Sequence, residues 1–111
     1  MTEAKDGAEA LEEVRRERPS LVLLDVMMPS VDGWTVAEEL ASDDETREIP
    51  VVFLSARAAQ EDRLRAQELG AVGYVVKPFD PVELAGKVRE VLERVARGER
   101  EQLNRELSES T

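Results

Sequence analysis

The sequence predicts an α/β fold built on a parallel β-sheet, from two observations. Three short apolar runs are rich in β-branched residues and do not alternate with polar residues, so each is predicted to be a strand buried on both faces. Segments with the apolar spacing of helices separate these runs, and strand–helix alternation is typical of right-handed βαβ units. The three predicted strands are residues 21–25, 51–55 and 73–77.

Four helices are predicted around these strands, at residues 8–16, 34–41, 60–69 and 81–95. The last has the clearest start, with Asp80 as N-cap, Pro81 at the first helical position and Glu83 two residues later. The third contains few apolar residues, so we expect it to be mostly exposed.

The composition changes after residue 96, which divides the chain into a domain at residues 1–96 and a charged tail or helix extension at residues 97–111. Leu103 and Leu107 lie four residues apart, as in an amphipathic helix. A frayed tail is favoured because Gly98 weakens a helix and few apolar residues follow it.

Composition excludes several classes of function. Fifteen basic against 25 acidic residues give a net charge of −10, which repels a nucleic-acid backbone and argues against a basic membrane-surface helix. The absence of Cys and His excludes thiol nucleophiles, thiolate zinc sites and histidine acid–base catalysis. With no spanning apolar run and no signal-peptide pattern, we expect a cytoplasmic domain. The remaining chemistry depends on carboxylates, hydroxyls, lysine and oxygen-bound metal.

A polar residue ends each predicted strand: Asp25, Ser55 and Lys77. In open α/β sheets, ligand sites form outside the carboxyl ends of the strands, so these three side chains are expected to converge. Taken singly, Asp25 or Ser55 can simply cap the next helix, and Lys77 can be a surface residue. Together they suit a carboxylate that accepts a phosphoryl group, with a cation and a hydroxyl for its oxygens.

Three motifs resemble the receiver domain of two-component response regulators: D-V-M-M-P at residues 25–29, L-S-A at 54–56 and Y-V-V-K-P-F at 74–79. The spacing between them also agrees with that family, and the resemblance covers residues 3–95. It implies a three-layer, doubly wound parallel sheet, the flavodoxin-like receiver fold. It also implies a cis bond between Lys77 and Pro78.

The resemblance implies a role for each site residue. Asp25 would accept phosphoryl from a histidine kinase or phosphotransfer protein and, with the main-chain carbonyl of Met27, bind Mg²⁺. Lys77 would contact the phosphoryl group, and Ser55 would move to donate a hydrogen bond to it. Tyr74 would be an aromatic switch that moves inward, changing a face read by an output protein or domain. The resemblance also implies that the chain is not an enzyme that acts on a separate substrate. Whether two copies pair through the last helix stays open.

The family has five strands, so its first strand, first helix and most of its second strand would precede Met1. We expect this to leave an apolar edge and face uncovered. It would also remove the acidic pair that holds most of the Mg²⁺, making the metal site weak or lost. Neither Glu3 nor Asp6 is placed to replace that pair.

Three explanations remain for this shortfall. The chain can be a fragment of a longer protein, which we favour, or a second chain can complete its sheet. It can also be a degenerate receiver that acts as a phosphorylation-independent protein-interaction module. An aspartate-nucleophile phosphatase of the haloacid-dehalogenase type is not expected, since its D-x-D motif needs an acid where this chain has Met27.

Overall fold

Four parallel strands form one sheet within residues 2–3, 7–27 and 32–109, the part of the chain that the computed structural model describes. The strands lie side by side in the order β1-β2-β3-β4. The elements in chain order are β1 (Thr2–Glu3), α1 (Gly7–Glu17), β2 (Val22–Asp25), α2 (Gly33–Ser42), β3 (Val51–Ser55), α3 (Gln60–Glu68), β4 (Gly73–Val76), α4 (Pro81–Ala96) and α5 (Arg100–Glu109). The predicted α/β fold with a parallel sheet is confirmed, and each predicted element is present within about two residues of its expected bounds.

Side-chain caps explain where two of the helices begin. The Asp80 carboxylate accepts a hydrogen bond from the Val82 N–H at 2.7 Å, which confirms the predicted start of α4. The Asp32 carboxylate accepts from the Thr35 N–H at 2.8 Å, which begins α2 one residue earlier than expected. This hydrogen bond also lowers the pKa of Asp32.

Two apolar layers pack on the two faces of the sheet. One lies beneath α1, α2 and α3, where the rings of Trp34 and Phe53 have their centroids 4.6 Å apart. The other lies beneath α4. The alternation along β2 divides its side chains between the layers, with Val22 and Leu24 in the first and Leu23 in the second; Leu21, just before the strand, also lies in the second layer.

The expectation of an uncovered apolar edge and face is wrong for the described residues. Thr2 and Glu3 pair in parallel with Val22 and Leu23, so β2 is an interior strand. The second face of β2 is covered as well: Leu23 is 1% exposed, in a cluster with α4 and α5 side chains. The chain thus covers its β2 strand with its own residues.

The favoured frayed tail is also wrong, because residues 100–109 form helix α5. Gly98 adopts a positive φ of 80°, which few other residues tolerate, in the turn between α4 and α5. Leu103 and Leu107 are both buried, so tertiary packing outweighs the weak local helix propensity. The domain boundary at residue 96 stays a prediction.

None of the helices in the described part of the chain has the length and apolar character needed to cross a membrane. Asp6, and Pro29 of the D-V-M-M-P motif, lie outside the described residues.

Candidate functional site

The ion pair between Asp25 and Lys77 lies at the centre of the candidate site. Asp25 ends β2, and its Oδ2 atom contacts the Nζ of Lys77, which follows β4. The other carboxylate oxygen, Oδ1, accepts a hydrogen bond from the Met27 N–H at 3.0 Å. The side chains of Asp25 and Lys77 are 26% and 38% exposed, so a ligand can reach the pair from solvent.

The sheet register brings the strand ends together. Asp25 lies opposite Leu54 on β3, and Ser55 lies opposite Val76 on β4. Just beyond the sheet, the Lys77 N–H donates to the Ser55 carbonyl oxygen at 2.7 Å. Because β3 separates β2 from β4, Lys77 reaches Asp25 across the end of β3. The structure therefore places Asp25, Ser55 and Lys77 at one edge of the sheet.

Gly33 fits tightly behind Asp25. Its N–H donates to the Val26 carbonyl oxygen at 3.1 Å, and a Cβ atom at this position would lie 2.5 Å from the carbonyl oxygen of Asp25. That distance is a clash with backbone, so only glycine fits without movement. From the sequence alone, Gly33 indicates only a turn. The close approach of its Cα to the Asp25 carbonyl arises from how α2 meets the end of β2.

The Ser55 side chain is 4% exposed and faces the loop that follows β3. Its Oγ atom accepts a hydrogen bond from the Arg57 N–H at 3.1 Å. A hydroxyl that accepts one hydrogen bond keeps its own hydrogen for another acceptor.

Tyr74 contacts the same loop residue. Its hydroxyl donates to the Arg57 carbonyl oxygen at 2.5 Å, and its ring is 7% exposed. The Arg63 guanidinium lies 5.1 Å from the ring centroid. The backbone of Arg57 therefore joins Ser55 to Tyr74. Sequence reasoning missed this link, and no residue-type signal could have shown it, because Arg57 takes part through main-chain atoms.

The peptide bond between Lys77 and Pro78 is cis, as the motif implied.

The sequence pattern of the response regulator receiver domain matches residues 1–89, most of the chain. The chain belongs to this family. Receiver domains act in two-component signalling and are generally not enzymes.

Among known proteins, this receiver domain is similar to proteins that are named as regulators of transcription. It is 47% identical over 92 residues to the probable transcriptional regulator ycf27 of Porphyridium aerugineum, covering 83% of this chain and 37% of the relative. It is 49% identical over 90 residues to the transcriptional activator protein IrlR of Burkholderia pseudomallei, covering 81% of this chain and 38% of the relative. The chain thus spans little more than a third of the length of these relatives.

Solved structures of receiver proteins share its fold. A putative response regulator from Chloroflexus aurantiacus superimposes with a TM-score of 0.74 at 32% identity, covering 82% of this chain and 75% of that one. The chemotaxis protein CheY4 of Vibrio cholerae gives 0.73 at 28% identity, covering 79% and 73%. These similarities confirm the flavodoxin-like receiver fold.

Receiver domains typically bind Mg²⁺, but the described residues do not by themselves make a Mg²⁺ site. Asp25 supplies one carboxylate, already engaged by Lys77 and the Met27 N–H, and the predicted second ligand is the Met27 carbonyl. Within residues 2–3, 7–27 and 32–109, no group of three or more acidic side chains could hold a metal ion. Octahedral Mg²⁺ gives up its waters reluctantly, so one carboxylate and one carbonyl alone would hold it weakly.

Proposed function

We propose that this receiver domain accepts a phosphoryl group on Asp25 from a histidine kinase or phosphotransfer protein, and thereby switches a protein-binding face. The observation that carries this proposal is the convergence of a solvent-accessible carboxylate and an ammonium group at one edge of the sheet, where Ser55 also ends its strand. Carboxylates form covalent phosphoryl intermediates, and a fixed cation beside them offsets the charge that arrives.

In the proposed reaction, a carboxylate oxygen of Asp25 attacks the phosphorus of a phosphohistidine. A phosphorus–oxygen bond forms while the phosphorus–nitrogen bond breaks, and the electron pair of that bond returns to the imidazole nitrogen. The Lys77 ammonium, paired with Asp25 before transfer, then neutralises part of the phosphoryl charge. Asp25 is thus the nucleophile, and Lys77 provides the electrostatic stabilisation.

The switch begins at Ser55. Its side chain rotates so that the hydroxyl donates to a phosphoryl oxygen, and this rotation moves the Oγ atom away from the Arg57 N–H, from which it now accepts a hydrogen bond. Because the Tyr74 hydroxyl is bonded to the carbonyl of the same Arg57, movement of this loop alters the position of Tyr74 on β4. The ring is already buried, so the rearrangement is one of its hydrogen bond and packing, smaller than a full inward rotation.

The partners follow from this mechanism and from the relatives. A kinase or phosphotransfer protein supplies the phosphoryl group in the cytoplasm, and an output protein or domain reads the altered face. The names of the relatives make control of transcription the favoured output. Nucleic acid is not expected to contact this chain directly, because its net charge is −10.

The test is to incubate the chain with acetyl phosphate and Mg²⁺ and to weigh the intact protein. We expect a gain of one phosphoryl group on the wild type and none on Asp25→Asn. Asp44→Asn is the matched control, since Asp44 is an 88% exposed aspartate away from the site, and it should gain phosphoryl as the wild type does. No gain on the wild type would contradict the proposal, as would a gain on Asp25→Asn.

A second candidate, the phosphorylation-independent interaction module, is favoured by the incomplete set of Mg²⁺ ligands among the described residues. It predicts that Asp25→Asn binds an output partner as tightly as the wild type. If partner binding instead increases when Asp25 is phosphorylated, this second function is excluded.

A further inference from the structure

Helix α5 covers the outer edge of β4, where it packs against α3, β4 and α4. Leu103 and Leu107, one helical turn apart, are its buried residues, at 2% and 6% exposure. Leu103 belongs to the apolar cluster of α4, and Leu107 to the cluster that contains Tyr74. One face of α5 therefore closes both apolar layers at this edge. We call the surface under it, formed by β4 and the adjoining sides of α3 and α4, the β4 groove.

Amide groups hold α5 in one register in the β4 groove. The Asn104 Nδ2 atom donates to the carbonyl oxygens of Ala71, at 2.6 Å, and of Gln67, at 3.1 Å. In return, the Gln67 Nε2 atom donates to the Asn104 carbonyl oxygen at 3.1 Å and to the Ser108 Oγ at 2.9 Å. The bonds from Asn104 reach main-chain oxygens of the groove, near the start of β4. A helix that binds in this groove therefore needs an amide side chain next to its first leucine.

A charged contact adds a second requirement. The Arg94 guanidinium binds both carboxylate oxygens of Glu106, at 2.9 and 2.6 Å, and its Nε atom donates to Glu99 at 2.9 Å. The Arg94 side chain is only 13% exposed, so this cation is largely enclosed by the contact. The groove thus prefers a helix with a carboxylate three residues after its first leucine.

The attachment of α5 is weak enough to be reversible. The helix has 10 residues, too few to be stable alone in water, and it follows a turn at Gly98. With two buried side chains, it has far fewer apolar contacts than the strands, and such segments open at a lower free-energy cost than the core. Once open, the β4 groove is an apolar strip beside an arginine that has lost both of its bonds to Glu106, a surface that fits a binding site.

We propose that the β4 groove is a docking surface for an acidic amphipathic helix of a partner protein, and that α5 is the resident helix that this partner displaces. The partner helix carries two leucines one turn apart, an amide next to the first and a carboxylate that pairs with Arg94. The proposal rests on the proposed function, because Tyr74 in the groove is joined to Ser55 through Arg57. It names the partner chemistry of the face that phosphorylation would switch.

The test reverses one charge on each side of the contact in the full-length chain. Arg94→Glu should repel Glu106, raising hydrogen exchange of the α5 amides about tenfold and leaving the β2 and β3 amides unchanged. A labelled peptide of residues 100–109 carrying Glu106→Arg should then bind this variant about tenfold more tightly than the native-sequence peptide does. Arg89→Glu is the matched control: Arg89 is an exposed arginine of the same helix α4, outside the contact with α5, so this variant should behave as the wild type.

Three results would overturn the proposal: unchanged exchange of α5 in Arg94→Glu, equal binding of the two peptides, or binding of neither. A dimer of the wild-type chain that exchanges α5 between copies would also overturn it, since the groove would then serve a second copy. If Arg94→Glu does not fold, Asn104→Ala replaces it, because that variant loses the bonds to Ala71 and Gln67 and should bind the native-sequence peptide more tightly. No step requires phosphorylation of Asp25, so failure here is distinguishable from failure of the proposed function.

Discussion

At the scale of single residues, the contact between Gly33 and Asp25 ties the start of α2 to the proposed phosphoacceptor. Gly33→Ala would place a Cβ atom 2.5 Å from the Asp25 carbonyl oxygen, so the backbone at the end of β2 must shift. We expect the free energy of unfolding to fall by about 1–3 kcal/mol, the usual cost of overpacking, and phosphorylation of Asp25 to slow. Urea denaturation measures the first effect, and the rate of mass gain with acetyl phosphate measures the second.

Gly86→Ala is the matched control. Gly86 lies inside α4, and a Cβ atom there would meet no heavy atom within 4 Å. Alanine should therefore stabilise the chain by up to about 1 kcal/mol through helix propensity, with no effect on phosphorylation. Equal losses of stability in the two variants would contradict the assigned role of Gly33.

The sequence predicts which residues meet at the site better than it predicts how they are oriented. Asp25 and Ser55 end strands and Lys77 directly follows one, and a parallel sheet brings such positions to one edge, so their convergence follows from the pattern alone. The hydrogen bonds of Ser55 and Tyr74 to Arg57 could not be predicted from this pattern, because they use the main chain of a loop residue. A main-chain contact of this kind leaves no preference in residue type.

At the scale of elements, α5 should respond to acid because of the carboxylates that face Arg94. Hydrogen bonds from this guanidinium hold the pKa values of Glu106 and Glu99 below their ordinary value of 4.5. Lys87, near Glu106, and Arg97, near Glu99, act in the same direction. A carboxylate whose pKa is lower in the folded state stabilises that state above its unfolded pKa and loses the effect as pH falls through its folded value.

We therefore expect α5 to undock as the pH falls below about 4.5, before the sheet unfolds. The methyl signals of Leu103 and Leu107 in an NMR titration report this step. Glu106→Gln should flatten the response, since it removes the carboxylate that binds Arg94 at two points. Undocking as the pH rises from 5 to 8 would contradict the role assigned to these acids.

Helix propensity alone predicts a frayed tail at residues 100–109. Gly98, the high charge and the two isolated leucines all predict weak helix formation by the segment itself. What stabilises the helix is the groove that receives Leu103 and Leu107, and the hydrogen bonds of α5 to α3 join residues 37 to 48 positions apart in the chain. Such long-range packing is not visible in local periodicity. The start of α4, by contrast, was predictable because Asp80 and Pro81 determine it locally.

At the scale of the whole molecule, the sheet is more complete than the apolar runs indicate. The two residues of β1 are too few to give a periodic pattern, yet their pairing with Val22 and Leu23 makes β2 an interior strand. On the opposite side, α5 covers the edge of β4. The fold class could thus be predicted from three buried strands and their helices, whereas the covering of both sides depends on the assembled fold.

We propose that the chemistry at Asp25 reaches the β4 groove through Ser55, Arg57 and Tyr74. The most direct measurement is an amide NMR spectrum of the chain kept phosphorylated by acetyl phosphate, recorded beside Asp25→Asn under the same conditions. We predict shifted signals for all three linking residues and for Leu107 in the wild type alone. Changes that stop at the neighbours of Asp25, or that also arise in Asp25→Asn, would contradict the claim.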